Sequence, residues 1–220
     1  MNESQAREEI CRIGKSLFDR GHAHGSAGNI SVRLDDGFLI TPTDACLGLL
    51  DPAALVRVDL EGRPASGARP SKTLALHRGI YAAARHYDAQ TRCILHTHSA
   101  HGVALSLGSE GLELLPPITP YFVMKVGHVP LVRYARPGAP EVVEEVAHTI
   151  AHYGDSGRPL RALMLQRLGP VVWHDTPAGA MAVLEELEET ARLMLLAPVY
   201  PEPLSEADID QLRQAFGARW

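Results

Sequence analysis

The sequence predicts a single α/β domain in which helices cover a mixed β-sheet. Stretches with apolar residues at helical spacing alternate loosely with short β-type runs, which is the pattern of a sheet packed against helices. Two of the runs are joined by the tight turn Asp35-Asp36-Gly37, which is typical of an antiparallel hairpin. A chain of 220 residues with 45% hydrophobic residues can bury one core, so we expect one domain over residues 1–220.

The first half of the chain alternates helices and strands, separated by glycine-rich or polar turns. Helices are assigned where apolar residues recur every three or four positions, and strands where short apolar or β-branched runs lie between turn residues. Gly21 is expected to end the first helix. The predicted elements are a helix bearing Ala6, Ile10, Ile13 and Leu17, strands at 29–34, 38–41 and 55–60, a helix bearing Leu76, Ile80 and Tyr81, a strand at 91–98 and a helix capped by Ser99.

The second half contains the longest predicted helix, which starts at Thr176-Pro177. Its apolar stripe is expected to face the sheet, with Arg192 and the glutamates at 185, 186, 188 and 189 facing away. The predicted elements are a strand at 130–134, a helix opening at Pro140 and bearing Val143, Ala147 and Ile150, strands at 162–165 and 170–173, the long helix bearing Ala180, Leu184, Leu187, Ala191 and Met194, and, within a tail at 198–220, a helix bearing Ile209, Leu212 and Phe216.

Composition excludes several classes of partner. The net charge is −5 and no block of Lys and Arg stands out, so we expect no nucleic acid and no anionic membrane surface as a partner. No apolar run approaches the length of a membrane span. The three cysteines form no CxxC pair, and the polar N-terminus is unlike a signal peptide, so we expect a reducing, cytoplasmic location.

Two histidines, His96 and His98, are separated by one residue in a β-type run. Because side chains alternate along a strand, both imidazoles are expected on one face, about 7 Å apart. Two imidazoles on one face can hold one divalent ion and suit zinc. The same spacing also fits a structural pair of histidines at a strand end, so this motif alone leaves both interpretations open.

Three polar loops could converge on an anion. The first, residues 26–29, ends in Gly28-Asn29, where backbone N–H groups and the Asn29 amide can donate hydrogen bonds. Thr41-Pro42-Thr43 supplies hydroxyl groups, and Arg69-Pro70-Ser71-Lys72 supplies the positive charge that the whole chain lacks. Each loop alone is more typical of an ordinary turn, so only their convergence predicts a phosphate site.

In order and spacing, these motifs resemble the class II aldolase/adducin family over roughly residues 5–197. The resemblance is closest to the branch of 3-oxo-tetronate 4-phosphate decarboxylases and fuculose-phosphate aldolases. The segments that carry it are Gly28-Asn29-Ile30-Ser31, Ile40-Thr41-Pro42-Thr43, Arg69-Pro70-Ser71, His96-Thr97-His98, 115–121, Tyr134-Ala135-Arg136-Pro137-Gly138 and 185–191.

The resemblance implies a three-layer α/β/α sandwich around a mixed, mainly antiparallel sheet, usually assembled as a homotetramer. It also implies a small phosphorylated sugar-acid substrate, a divalent ion, most often zinc, that holds an enediolate, and a glutamate as general acid/base. The implied phosphate-binding residues are Gly28, Asn29, Thr43, Asp44, Ser71 and Lys72. The implied metal ligands are His96, His98 and a third histidine.

Three positions depart from the family pattern. Thr73 stands where the glutamate is expected, and a threonine cannot carry a proton near neutral pH as a carboxylate can. Leu168 stands where the third histidine is expected and has no lone pair for a metal. Asp44 replaces a loop glycine of the aldolases. We therefore expect weak or partial metal occupancy. The neighbours that could replace the proton carrier are Tyr121, Tyr134 and Lys72.

Other histidines offer a third metal ligand without a spacing that singles one out. His101 is expected on the next helix in a packing or supporting role. Waters or substrate oxygens could also complete the metal's shell. The remaining histidines that could take the third place are His22, His24, His128 and His174.

Two hypotheses of function follow. In the first, the chain is a metal-dependent carbon–carbon lyase, either a decarboxylase or an aldolase, acting on a phosphorylated keto or sugar acid. In the second, the fold is kept but catalysis is lost, and the chain binds a ligand or a partner. Apolar positions on the helix at 177–196 and in the tail favour a homo-oligomer in either case.

Overall fold

Seven strands form one sheet in the computed structural model, which describes residues 1–65 and 67–220. The strands are β1 (Asn29–Leu34), β2 (Gly37–Ile40), β3 (Val56–Val58), β4 (Cys93–His96), β5 (Leu131–Val132), β6 (Ala162–Leu165) and β7 (Gly169–His174). Their order is β3-β2-β1-β4-β7-β6-β5. Neighbouring strands are antiparallel except β5 and β6, which run parallel. The expected mixed, mainly antiparallel sheet is confirmed.

Helices cover both faces of this sheet. They are α1 (Glu3–Asp19), α2 (Leu74–Tyr87), α3 (Ala100–Gly108), α4 (Pro120–Lys125), α5 (Pro140–Asp155), α6 (Pro177–Leu196) and α7 (Glu206–Phe216). One buried cluster joins α1, α4 and α6 to one face of the sheet, with α3 packed against it. A second cluster joins α2 and α5 to the other face. This arrangement confirms the three-layer α/β/α sandwich.

Local sequence explains where the longest helices begin. Asn2 and Gln5 form a reciprocal capping box at the start of α1. The Thr176 side chain accepts a hydrogen bond from the Gly179 backbone N–H at the start of α6, where Pro177 takes the first helical position. The predicted apolar stripes of both helices are buried, apart from the partly exposed Met194.

Several details differ from the sequence expectations. Strand β5 spans only Leu131–Val132 of the predicted 130–134, and the Ser99 side chain makes no capping hydrogen bond at the start of α3. Strand β4 ends at His96, so His98 lies beyond the strand rather than within it. Strand β3 spans only Val56–Val58. The short helix α4 was not expected, although Thr119 caps it and Pro120 opens it.

A further difference is Glu188, which is 2% exposed rather than facing away from the sheet. Its Oε1 accepts a hydrogen bond from the Gly102 N–H at 2.8 Å, and its Oε2 accepts one from the His101 N–H at 3.2 Å. Glu188 thereby satisfies the first N–H groups of α3, which have no partner within the helix. That pairing explains why a carboxylate is buried there.

The C-terminal tail folds back on its own chain. The Trp220 ring stacks on the His128 ring with centroids 4.2 Å apart, and it meets the Phe122 ring edge-on at 5.8 Å. The predicted tail helix is present as α7. In the described residues, no helix is both long and apolar enough to cross a membrane.

Candidate active site

His96 lies at the end of the central strand β4, between Asn29 of β1 and Val171 of β7. Its Nδ1–H donates to the Pro170 carbonyl oxygen at 2.9 Å. That hydrogen bond leaves Nε2 as the nitrogen with a free lone pair. Burial and the nearby His98 lower the pKa of His96 to about 4. The ring is therefore neutral near pH 7 and can accept a hydrogen bond or ligate a metal.

His98 follows two residues later and lies close to His96. The two ring centroids are 5.0 Å apart. Burial, and to a smaller degree His24, lowers the pKa of His98. The expected proximity of the two imidazoles is therefore present, although it arises where the chain leaves the sheet and not from strand alternation.

The turn before β1 brings Gly28 and Asn29 against the His96 backbone. Gly28 has φ +90°, and a Cβ there would lie 2.8 Å from the His96 carbonyl oxygen, so only glycine fits. Asn29 is 6% exposed. Its Oδ1 is buried, with no hydrogen-bond partner in the described part of the chain. A buried amide oxygen without a partner is uncommon, and it leaves an acceptor that a ligand or a water can use.

The other two polar loops lie side by side. The Thr43 N–H donates to the Arg69 carbonyl oxygen at 3.1 Å, and the Ser71 N–H donates to the Thr41 carbonyl oxygen at 3.0 Å. The Thr41 hydroxyl accepts a hydrogen bond from the Ile30 N–H at 3.2 Å, which ties this pair of loops to β1. The structure thus gathers all three predicted anion loops at one end of the sheet.

Asp44 and Lys72 form an exposed ion pair at the edge of these loops, with Lys72 Nζ 3.3 Å from Asp44 Oδ1. Asp44 has φ +58°, a left-handed conformation that glycine adopts without strain. That conformation accounts for the glycine that the family pattern places here. Thr73 comes next, and its hydroxyl lies 2.9 Å from the Ser71 hydroxyl.

A cavity of about 340 Å³ opens beside His96. Thr73 and Leu168 both line it, so the positions expected for the glutamate and the third histidine face the same space as His96. The cavity is otherwise walled mainly by apolar side chains, with Glu144 and Gln166 among its polar residues. Three cationic side chains also line it, which are Lys72, Arg133 and Arg136.

These residues do not form a complete metal site. The free Nε2 of His96 and the adjacent His98 suit a divalent ion, but Leu168 and Thr73 supply neither a nitrogen nor a carboxylate. In the described residues, no group of three or more His, Cys, Asp or Glu side chains is arranged to hold a metal ion. Metal sites of this type normally take three ligands from the protein. No chemical step is therefore assigned to a metal.

The other histidines have different surroundings. His128 donates to Glu113 at 2.8 Å beneath Trp220, and His174 pairs with Asp175. His22 and His101 line a separate cavity of about 540 Å³ along α6. The expected supporting role of His101 fits its hydrogen bond to Glu188 at 3.0 Å. His24, one of the four alternative ligands, contributes to the lowered pKa of His98.

The two tyrosines proposed as proton carriers lie outside the 340 Å³ cavity. Tyr121 is 60% exposed and lines the second cavity with Arg20 and His22. Tyr134 is 59% exposed, and its backbone N–H donates to Gln166 Oε1 at 3.2 Å. Within one chain, Lys72 is the suggested proton carrier that lines the cavity.

A network of buried polar side chains on α2 and β1 lies close to His96. His77 on α2 is fully buried, and its Nδ1 lies 2.7 Å from the Ser31 hydroxyl, which in turn lies 3.0 Å from the Tyr81 hydroxyl. Burial and the nearby His96 lower the pKa of His77 to about 3. The sequence indicates no role for His77, because one buried histidine on a helix does not differ in pattern from a core residue.

Comparison with known proteins agrees with this architecture. The family described as Class II Aldolase and Adducin N-terminal domain matches residues 8–195. The chain belongs to the class II aldolase/adducin family. The sequence-based resemblance is thereby confirmed, and the match covers the loops, both histidines and the cavity.

Three proteins of known sequence or structure show which members of the family this chain is similar to. It is 51% identical to a 3-oxo-tetronate 4-phosphate decarboxylase of Cupriavidus necator, across 99% of both chains. It is 32% identical to an L-fuculose phosphate aldolase of Methanocaldococcus jannaschii, across 86% of this chain and 96% of that protein. The crystal structure of YgbL from Escherichia coli, a putative aldolase/epimerase/decarboxylase, superposes with a TM-score of 0.85 at 38% identity, covering 96% of this chain and 99% of that one.

Proposed function

We propose that this chain is a carbon–carbon lyase that decarboxylates a small phosphorylated β-keto sugar acid such as a 3-oxo-tetronate 4-phosphate. One observation carries the proposal. The cavity beside His96 is lined by three cationic side chains in a chain of net charge −5, and Thr73 stands at the acid/base position. Such a cavity suits an anion whose reaction starts without a base. The name of the Cupriavidus necator relative supports the same substrate class.

The chemistry explains why decarboxylation tolerates Thr73. In a 3-oxo-tetronate 4-phosphate, the C1–C2 bond breaks, carbon dioxide leaves, and the electron pair moves through C2 onto the C3 oxygen. A proton then adds at C2 and gives dihydroxyacetone phosphate. Carbon dioxide departs without prior removal of a proton, whereas retro-aldol cleavage must first deprotonate a hydroxyl group. General acid/base help is worth about 10²–10⁴-fold, so loss of the glutamate should harm aldol cleavage more.

The residues of the chain fit defined roles in this reaction. We assign the phosphate to the three loops, at Gly28, Asn29, Thr43 and Ser71, since these loops meet at one end of the sheet and carry the Asn29 amide and the Thr43 and Ser71 hydroxyl groups. The neutral His96 can accept a hydrogen bond from a substrate hydroxyl through Nε2. Lys72 and Arg133, which line the cavity, can stabilise the charge that develops on the C3 oxygen.

Metal dependence remains a prediction from the family resemblance. Zinc supplies Lewis-acid stabilisation of an enediolate where a full ligand set holds it. Here the incomplete donor set supports weak or partial occupancy on His96 and His98. We therefore propose that the ion, where present, is held loosely.

The two departures from the family pattern, at Leu168 and Thr73, also favour a second function. With Leu168 and Thr73 both on the cavity, the chain could bind a phosphorylated sugar acid without turning it over. This alternative predicts tight ligand binding, no product and no response to added metal.

The test is product formation from 3-oxo-tetronate 4-phosphate. We expect carbon dioxide and dihydroxyacetone phosphate in a 1:1 ratio, the latter detected by ³¹P NMR, at a rate well above the spontaneous loss measured without protein. A rate equal to the spontaneous one, together with retained binding of the unreactive 4-phosphoerythronate, would support the binding module instead.

We also propose a homo-oligomer, which by resemblance is a tetramer. Exposed apolar side chains at the C-terminal end of the chain support it, since Leu196 is 64%, Tyr200 72% and Phe216 69% exposed. Light scattering at micromolar concentration should report more than one chain per particle, and a monomer would refute it. A cytoplasmic location stays a prediction of the sequence.

A further inference from the structure

Arg136 differs from the other two cations of the 340 Å³ cavity in having no hydrogen-bond or ion-pair partner for its guanidinium among the described residues. Lys72 is paired with Asp44 at 3.3 Å. The Arg133 guanidinium donates to the Glu110 carbonyl oxygen at 2.7 Å. The Arg136 guanidinium makes no hydrogen bond or ion pair with any described residue, although Glu144 lines the same cavity.

The backbone that carries Arg136 is fixed by the following turn. The Ala139 N–H donates to the Arg136 carbonyl oxygen at 3.1 Å, Gly138 has φ +79°, and Pro140 opens α5 immediately afterwards. On the other side, the Tyr134 N–H donates to Gln166 Oε1 at 3.2 Å. Arg136 therefore stands on a fixed backbone at the rim of the cavity, and its exposed guanidinium has no ion pair with a described residue.

We propose that Arg136 is the specificity residue that binds the carboxylate of the substrate. The inference rests on the proposed function, which gives the substrate an anion at each end. The phosphate end is assigned to the three loops, and these carry only the paired Lys72 among the cavity cations. The remaining anion is a planar carboxylate, which the planar guanidinium can bind through two parallel N–H···O bonds.

This assignment has a kinetic consequence that a structural role would not produce. The carboxylate loses its charge as carbon dioxide forms, so the ion pair with Arg136 is stronger in the bound substrate than in the transition state. Removing the guanidinium should therefore raise KM while kcat stays the same or rises. A variant that merely loosened the fold would lower kcat or the melting temperature.

The experiment compares Arg136→Gln and Arg136→Lys with the native chain. Arg12→Gln is the matched control, because Arg12 is an exposed arginine on α1 that pairs with Glu9 and does not line the cavity. Binding is measured by calorimetry with two unreactive probes. The first is 4-phosphoerythronate, and the second is erythritol 4-phosphate, which has a CH2OH group in place of the carboxylate.

For Arg136→Gln we expect at least about a tenfold loss of affinity for 4-phosphoerythronate, because a charge-assisted hydrogen bond is removed. Affinity for erythritol 4-phosphate should stay within about twofold, and Arg136→Lys should fall between Arg136→Gln and the native chain. The Arg12→Gln control should bind both probes like the native chain.

Two outcomes overturn the inference. Equal losses for both probes would place Arg136 at the phosphate, and unchanged affinity for 4-phosphoerythronate would remove it from the site. Failure of the proposed function would be seen separately. The native chain would then form no product from the keto acid, while 4-phosphoerythronate would still bind it more tightly than it binds Arg136→Gln.

Discussion

The buried His77 makes stability depend on pH in a calculable way. Its folded-state pKa is about 3, against about 6.5 for an unfolded histidine. Because the folded value is the lower one, the unfolded chain takes up the proton first. The stabilisation is fully present above about pH 6.5 and is lost as the pH falls towards 3. Over the 1.5 units from pH 6.5 to 5.0, at ~1.36 kcal/mol per unit, the loss is about 2 kcal/mol.

The perturbation that isolates this effect is His77→Gln, which removes the titrating ring but keeps a polar group near Ser31. The assay is the free energy of unfolding in urea at pH 7.5 and pH 5.0. We expect the native chain to lose about 2 kcal/mol more than His77→Gln between the two conditions. The control His148→Gln, on an exposed position of α5, should retain the native pH dependence. Equal losses in His77→Gln and the native chain would refute the reasoning.

Three further predictions concern the metal, the turn and the buried glutamate. Leu168→His should tighten zinc binding at least about 100-fold in a chelator competition, because loss of a residue that only orients a metal ligand already costs about 10–100-fold in affinity. Adding Thr73→Glu to Leu168→His should raise zinc occupancy and turnover together. Gly28→Ala should lower the free energy of unfolding by about 2 kcal/mol or more, because φ is +90°, whereas the same change at the uncrowded Gly67 should cost under ~0.5 kcal/mol. Glu188→Ala should cost about 2–4 kcal/mol in urea unfolding, because it strips acceptors from the N–H groups of α3, whereas Glu189→Ala, which breaks an exposed pair with Arg192, should cost under ~1 kcal/mol. Native-like zinc affinity, or equal costs within either matched pair, would contradict the corresponding prediction.

Much of the fold could be predicted because its elements carry strong local patterns. The stripe of α6 and the hairpin turn at 35–37 indicate helix and strand without reference to the rest of the chain. Short elements escaped prediction because their conformation depends on tertiary contacts. Helix α4 has only six residues, too few for the periodicity of a helix to show.

Glu188 shows where side-chain patterning fails. Charged residues at 185, 186, 188 and 189 suggest one solvated face, yet Glu188 follows Leu184 by four positions and therefore lies on the buried side. Its partners are backbone N–H groups of α3, about 87 residues earlier in the chain. Neither the distance in space nor the need of that helix for an acceptor can be read from local sequence.

The candidate site was predicted in its parts and not in its arrangement. The loops, His96 and His98 were identified from spacing and resemblance, and the structure gathers them at one end of the sheet. The segment containing Arg136 fits the family pattern, but the sequence does not indicate a role for its guanidinium, because neither the cavity nor the lack of a described partner is visible in the sequence. Those two properties depend on the folded chain.

The central claim is that this site favours decarboxylation because a proton carrier is missing at Thr73. The most direct test measures two turnover numbers on one sample of the native chain, one for carbon dioxide release from 3-oxo-tetronate 4-phosphate and one for aldol cleavage of L-fuculose 1-phosphate. We expect decarboxylation to exceed aldol cleavage by at least about 100-fold, the lower limit of general acid/base assistance. Aldol cleavage at a rate equal to or above decarboxylation would show that another group carries the proton, and would contradict the account.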